Sequence, residues 1–350
     1  MPPRPRAGPA VIAGVLDGSL DALGRLLWHA RLSRWVFRIG RRNPKVILYH
    51  ACEPTESPFI RDLGVNTPPE EFAAHLDFLH RHYQVVAVDE LAAGTAPPNA
   101  AVITFDDGYR SVLEHAAPLL EARGMPATVY LVTHVVDNDD LVWVNELNWL
   151  LVTHPAETAP IVTEQLGLPL ATPSDEVVAA VLQRYEPALV QRLLTAMWAA
   201  VPSSRNEVLA TLELYLRWDE IRDMEGRRFS FGSHSATHPN LRGLEPADVA
   251  REVDTSVETM VRELGSCGSF AYPFGFTEER ITAALQSRNF SSVMVVGGSN
   301  YGAQPTAIAR TPLTGTSPAV LFSQLEVVEP AKAGLRVAAG WVRRRRRRAR

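Results

Sequence analysis

Cysteine is scarce in this sequence: among 350 residues there are two, Cys52 and Cys267, and neither belongs to a C-x-x-C pair. Two thiols so placed exclude a disulfide framework and read as small buried side chains. Long apolar runs are missing as well. No stretch approaches the ~20 consecutive apolar residues that a membrane-spanning helix requires. The opening M-P-P-R-P-R-A-G-P-A-V-I-A-G-V-L-D-G lacks the continuous apolar core of a secretory signal, so a cytoplasmic location is the expectation. Repeats are absent, and the one low-complexity segment is a run of arginines near the C-terminus.

That run distorts the charge balance. The formal net charge is -4, yet seven of the 35 Lys and Arg residues are Arg343 to Arg348 and Arg350. Without them 28 basic residues face 39 acidic ones, a balance of -11. The body of the chain therefore offers no footprint for nucleic acid, and none is expected as a partner. The tail, residues 331–350, is either solvated or drawn to phosphate on a membrane surface. What remains, with 46% hydrophobic and 21% charged residues, suits one large domain with decoration.

Residues 1–43 form a segment of their own. Trp28, Leu32, Trp35, Val36 and Ile39 share one helical face, with Arg31, Arg34 and Arg38 largely opposite. Such a helix can lie in a membrane interface, attaching residues 20–42 and the arginine tail to the inner membrane face. It can equally pack on its own domain.

After Pro44 the pattern becomes an alternation of apolar strands and helices. K-V-I-L-Y-H delivers His50 at a strand end, and Thr67-Pro-Pro-Glu70 predicts a capped helix whose stripe is Phe72, Leu76 and Leu79. Q-V-V-A-V, A-V-I-T-F and A-T-V-Y-L-V follow as strands, with a helix from about Ser111 to Arg123. From about Asp137 to Leu216 the rhythm turns wholly helical and predicts an insertion, about 137–216, within a domain spanning 44–330. The alternation then resumes through R-F-S-F-G, a long helix from Pro246 to Leu264, S-F-A-Y, S-V-M-V-V and A-I-A-R. Strands with no wet face, separated by helices, predict a parallel α/β sheet or barrel.

Three clusters fall where strands end: Asp106-Asp107 in T-F-D-D-G-Y, His234 and His238 in H-S-A-T-H, and Tyr272-Pro273-Phe274-Gly275. In parallel α/β architectures the loops after the strands line the reactive face, so these clusters and His50 can converge. Adjacent carboxylates repel, which makes Asp106 and Asp107 a poor structural pair unless a cation neutralises one of them. Two histidines four apart, with a carboxylate from another strand, make a three-ligand site with open positions. Alone, H-x-x-x-H says little, because ten histidines make chance pairs common. Together the clusters are far more specific.

T-F-D-D-G at Thr104 to Gly108, G-S-H-S-A-T-H-P at Gly232 to Pro239 and F-A-Y-P-F-G at Phe270 to Gly275 resemble the polysaccharide deacetylases of carbohydrate esterase family four, within the branch similar to exopolysaccharide poly-N-acetylglucosamine deacetylases. The resemblance implies a distorted (β/α) barrel of about seven parallel strands. It also implies hydrolysis of N-acetyl groups on an N-acetylated glycan or glycolipid precursor, with Zn2+ or another divalent metal such as Co2+, Ni2+ or Fe2+. Carried over by motif, Asp107, His234 and His238 become the metal ligands and Asp106 the general base. The backbone N-H of Phe274 becomes the oxyanion donor, since Pro273 has none to offer.

The sequence departs from the family in two places. Ala271 stands where many members carry an arginine that orients the base, and no histidine follows His238 to serve as the late catalytic acid. Arg310, at the end of the last strand, is the candidate replacement for the first, and His50 for the second, as in the branch whose first strand ends in Y-H. Tyr109 and Tyr272 are possible substrate contacts, and Trp143 and Trp149 are expected to pack inside the insertion. Two other functions remain open on this reading. One is a deacylase or amidase acting on a smaller substrate beneath the insertion, and the other a non-catalytic glycan-binding protein. Members of the family often act outside the cytoplasm, so extracytoplasmic action also stays open despite the missing export signal.

Overall fold

The computed structural model describes residues 9–40, 43–275, 279–286, 288–297, 308–332 and 334. The arginine run lies outside them. Eight strands form: β1 Lys45–Tyr49, β2 Gln84–Val85, β3 Ala100–Phe105, β4 Ala127–Leu131, β5 Phe229–Ser233, β6 Ser269–Ala271, β7 Ser292–Val296 and β8 Ile308–Pro312. Every pairing is parallel, and the ladder closes because β1 pairs with both β3 (Lys45↔Ala101 to Tyr49↔Phe105) and β8 (Ile47↔Thr311). Seven strands thus make the barrel, and short β2 joins only the start of β3, at Gln84↔Ala100.

The segment Q-V-V-A-V forms much less strand than its composition predicts. Only Gln84 and Val85 pair, and Val88 already opens the helix Val88–Ala92. The helix after Thr67 also begins later than the capping pattern predicts. Pro68 occupies the cap position, no side chain caps it, and the helix runs Pro69–His82. Two consecutive prolines hold the entry through their fixed φ instead.

Period-two alternation gives each strand an inward and an outward face. Val46, Val102, Tyr130, Ala271, Met294 and Ile308 pack together inside the barrel. The residues between them, such as Ile47, Ile103, Val129 and Phe231, join the shell of helices outside. Counting by twos from Val46 and Val102 brings His50 and Asp106 to the C-terminal rim of the interior.

Between β4 and β5 the chain builds helices Trp143–Thr153, Pro155–Leu166, Ser174–Gln183, Pro187–Ala200 and Arg205–Ala210, with a core of their own. Trp143 is buried there, and Trp149 stacks on Trp198 at 5.4 Å, so both pack as expected. The insertion is held to itself by Arg205, which reaches Glu146 Oε1 at 2.6 Å and also Asp140.

The N-terminal stripe does not form one helix. Pro9–His29 stops, Arg31 takes a φ of 59°, and Ser33–Gly40 starts on a new axis. Trp28 packs on Phe78 and Phe322, and Phe37 on His82 and Phe322, whereas Leu26 (65%) and Trp35 (62%) stay exposed. Of the stripe, Trp28 and Val36 therefore pack on the domain, and Leu32 and Trp35 do not. The side chain of Ile39 lies outside the described residues. Gly24 lets the first helix approach closely: a Cβ there would meet Ser323 Oγ at 2.2 Å. Of the thiols, Cys52 is buried and Cys267 half-buried.

Candidate active site

Strand β3 ends in Phe105, after which Asp107 (φ 68°) and Gly108 (φ 72°) both turn left-handed. Aspartate tolerates that region, and Gly108 is needed there, since a Cβ would meet Leu131 Cδ2 at 2.9 Å. The turn separates the paired acids: Asp106 keeps the inward direction of its strand, and Asp107 looks across the rim to the loop after β5.

That loop is a tight turn rather than a helix. His234 directly follows β5, Ser235 has a φ of 69° and His238 a φ of 58°. The chain is fixed by hydrogen bonds from His238 N to Ser235 Oγ (3.1 Å) and from Thr237 N to Glu252 Oε2 (2.9 Å). Trp143 adds a third tie by donating Nε1-H to the His238 carbonyl at 3.1 Å.

The side chains of Asp107, His234 and His238 meet. Asp107 Oδ1 lies 3.3 Å from His238 Nε2 and 3.5 Å from His234 Nε2, and the two Nε2 atoms are 3.2 Å apart. His234 donates Nδ1-H to the Ala271 carbonyl at 2.8 Å, which leaves its Nε2 with a lone pair when the ring is neutral. Burial lowers the pKa of His234, and burial with the nearby His234 ring takes His238 further down, so both are neutral at neutral pH. Asp107 Oδ1 is buried and has no hydrogen-bond partner. Buried acceptor atoms that converge without a donor repel one another, and a cation among them removes the conflict. The donor set therefore fits a divalent metal ion.

Asp106 has a different partner. Arg310 Nη1 and Nη2 donate to its two carboxylate oxygens at 2.5 and 2.6 Å, and the guanidinium lies wholly buried 5.5 Å from the Tyr130 ring centroid. Burial alone would raise the Asp106 pKa, but Arg310 and then His234 outweigh it and hold the carboxyl at about 2. Asp107 goes the other way. Burial and then the charge of Asp106 push it up to about 8, so without a cation it keeps a proton near neutrality. The opposed shifts set one acid as a fixed anion and the other as the group that needs a positive partner.

His50, Asp106, Asp107, His234, His238 and Phe274 line one cavity of about 290 Å3. Burial lowers His50 to about 4, partly opposed by Asp106. Phe274 sits at φ 57°, its ring 4.6 Å from His238. Tyr109 lines the cavity, stacks on Tyr215 and is hydrogen-bonded to Asn145. Tyr272 does not line it. Its side chain joins Phe270 and Ile281 in the outer core, with its hydroxyl 3.4 Å from Thr282 Oγ1, because the residue after Ala271 points away from the interior.

Sequence reasoning missed Glu252, which fixes the histidine loop, and Asn145, which joins Tyr109 to Tyr215. It also missed the apolar roof that the insertion supplies through Val142, Val144, Val178, Ala179 and Leu182. None of these carries a local motif, and their positions follow from long-range packing.

A family model described as polysaccharide deacetylase matches residues 93–293, more than half of the chain. The chain belongs to the polysaccharide deacetylase family. It is 30% identical over 106 residues to the polysaccharide deacetylase homologue YxkH of Bacillus subtilis (strain 168), covering 29% of this chain and 36% of that relative. Two solved structures share its fold. The Streptococcus pyogenes deacetylase PplD in complex with acetate has a TM-score of 0.55 and 14% identity, covering 81% of this chain and 98% of that one. IcaB from Ammonifex degensii has a TM-score of 0.52 and 17% identity, covering 82% and 98%. The family is generally metal-dependent, in keeping with the grouping of Asp107, His234 and His238.

Proposed function

We propose that this family member is a metal-dependent N-deacetylase that hydrolyses the acetamide of an N-acetylated glycan. The observation that carries the reading is the contrast between neighbours: Asp107 converges with two neutral imidazoles, while Asp106 is clamped by Arg310. Asp107, His234 and His238 would hold the ion, with zinc as the proposed identity. When bound, such an ion supplies a Lewis acid and lowers the pKa of water toward ~7. Asp106 takes the proton of the attacking water, and Arg310 keeps both of its oxygens in place. His50 enters neutral at neutral pH, so it must collect a proton within the turnover before it can give one to the leaving amine. The left-handed turn at Phe274 supports its backbone N-H as the oxyanion donor.

The test is metal content measured together with acetate release from a panel of N-acetylated glycans. The reading requires acetate release that a chelator abolishes and zinc restores. Glycan binding without acetate release would leave only the non-catalytic alternative.

One observation favours a short or terminal substrate. The cavity of about 290 Å3 is roofed by apolar side chains of the insertion, with Asp175 as the one charged residue that the roof helices contribute. A cavity of that size suits a single sugar unit better than the middle of a polymer. Acetate release that rises with oligomer length would exclude this second reading.

Attachment to the inner membrane face is part of the proposal for location. Leu23, Leu26, Leu32 and Trp35 are exposed on the N-terminal helices and their connecting turn, beside Arg25, Arg31, Arg34 and Arg38. No helix among the described residues is long and apolar enough to cross a membrane. Cell fractionation of a fusion, with and without Leu26→Glu/Trp35→Glu, checks it; an unchanged distribution removes the idea.

A further inference from the structure

A second concavity, of about 370 Å3, opens at the opposite end of the barrel from the candidate active site. Its wall residues sit just ahead of strands: Asn43 before β1, Tyr83 before β2, and Asn99 before β3. Over this opening the helix Ser33–Gly40 contributes Arg34 and Arg38, and the helix Pro69–His82 contributes Arg81 and His82. Two elements far apart in sequence therefore bring three guanidinium groups to one hollow.

The one acid in the wall is already engaged. Glu326 is buried, 3.2 Å from Lys45 Nζ and 2.6 Å from the Tyr83 hydroxyl that donates to it. Arg34, Arg38 and Arg81 have no carboxylate within ion-pair distance among the described residues. Arg110, Arg123, Arg205 and Arg227 elsewhere are each paired with one or more acids. The cluster is thus uncompensated in a body whose acids outnumber its bases. The Phe37 ring, stacked on His82 at 4.8 Å, adds an apolar wall beside the charges.

We propose that this hollow binds a phosphate ester, as carried by an anionic lipid headgroup or by a soluble sugar or glycerol phosphate. Guanidinium groups match phosphate oxygens in pairs and remain charged at any working pH, which is the chemistry this wall offers. The lipid source rests on the attachment reading given above. Leu32 and Trp35 are exposed on the turn and helix that carry Arg34, and Arg38 lies 5.7 Å from the centroid of the Trp35 ring. A headgroup in the hollow would let both apolar residues enter the interface. It would also turn the catalytic end of the barrel away from the bilayer.

The experiment uses the full chain and its triple variant Arg34→Gln/Arg38→Gln/Arg81→Gln. A second triple variant, Arg61→Gln/Arg192→Gln/Arg228→Gln, removes the same charge from elsewhere on the surface. One arm measures sedimentation with phosphatidylcholine vesicles with and without phosphatidylglycerol, and the other titrates glycerol phosphate and inorganic phosphate by calorimetry. At about fivefold per arginine, the first triple variant should bind phosphatidylglycerol vesicles about 100-fold more weakly than the unaltered chain. The control triple should stay within about threefold, and both should keep their acetate release, since none of these residues touches the active site. Titration of glycerol phosphate that is lost only in the first triple identifies a soluble ligand, and vesicle binding lost only there identifies the lipid. Equal loss in both triples overturns the proposal, as does an unaltered chain that binds neither probe. Vesicle binding that survives the first triple refutes the hollow while leaving attachment through other residues intact.

Discussion

Replacing Arg310 with methionine isolates the pair on which the chemistry of Asp106 depends. The guanidinium is fully buried and makes two charge-assisted bonds of 2.5 and 2.6 Å to a carboxylate that is itself 3% exposed. Methionine fills much of the same volume, so the main loss is the charge. Removing one partner of a buried pair costs about 3–5 kcal/mol, because the remaining ion is neither hydrated nor neutralised. The pH dependence carries a second signature. In the native chain the Asp106 pKa is lowered from 3.8 to about 2, so its stabilisation is present above about pH 4 and lost as pH falls toward about 2. That shift corresponds to about 2 kcal/mol. In Arg310→Met only the His234 and His50 rings, both neutral at neutral pH, remain to oppose burial, so the folded pKa of Asp106 rises above the unfolded one and stability instead declines as pH rises past about 4. Urea unfolding of both proteins at mildly acidic and neutral pH reads both effects, and Asp106→Asn/Arg310→Met should recover part of the loss. Turnover should fall about 10²- to 10⁴-fold. A variant within about 0.5 kcal/mol of the native chain at neutral pH, with an unchanged pH slope, would refute the reasoning.

The metal-free protein should lose stability as pH rises from about 4 to about 8, because Asp107 prefers its proton in the folded state, and zinc should abolish that slope. Thermal melts with chelator and with added metal across this range check it. His50→Ala should lower turnover about 10²- to 10⁴-fold while bound metal stays unchanged by elemental analysis. Gly24→Val forces a Cβ into Ser323 and should destabilise by about 1–3 kcal/mol in urea unfolding, with acetate release retained at low denaturant.

Most of the barrel is legible because its strands are buried on both faces and punctuated by turn residues. The extent of β2 is not, since Val86, Ala87 and Val88 look like strand, yet the edge of β3 along which they would continue is taken by β4 from Thr104 onward. The convergence of Asp107, His234 and His238 follows from motif order and strand polarity. Arg310 was legible only as a candidate, because nothing local tells that its side chain crosses the barrel to Asp106. Tyr272 shows the limit from the other side: proximity to Phe274 in sequence made it a candidate contact, and strand parity turned it outward. The split in the N-terminal stripe was hidden because helical periodicity runs across the break at Arg31.

The inward faces of β1 and β3 set a rule for how this chain can change length. One residue inserted between Lys45 and Tyr49, or between Ala100 and Phe105, would exchange the two faces and hand His50 or Asp106 to the helical shell. Insertions outside the ladders leave that parity untouched, and the five-helix excursion after β4 is one such enlargement already in place.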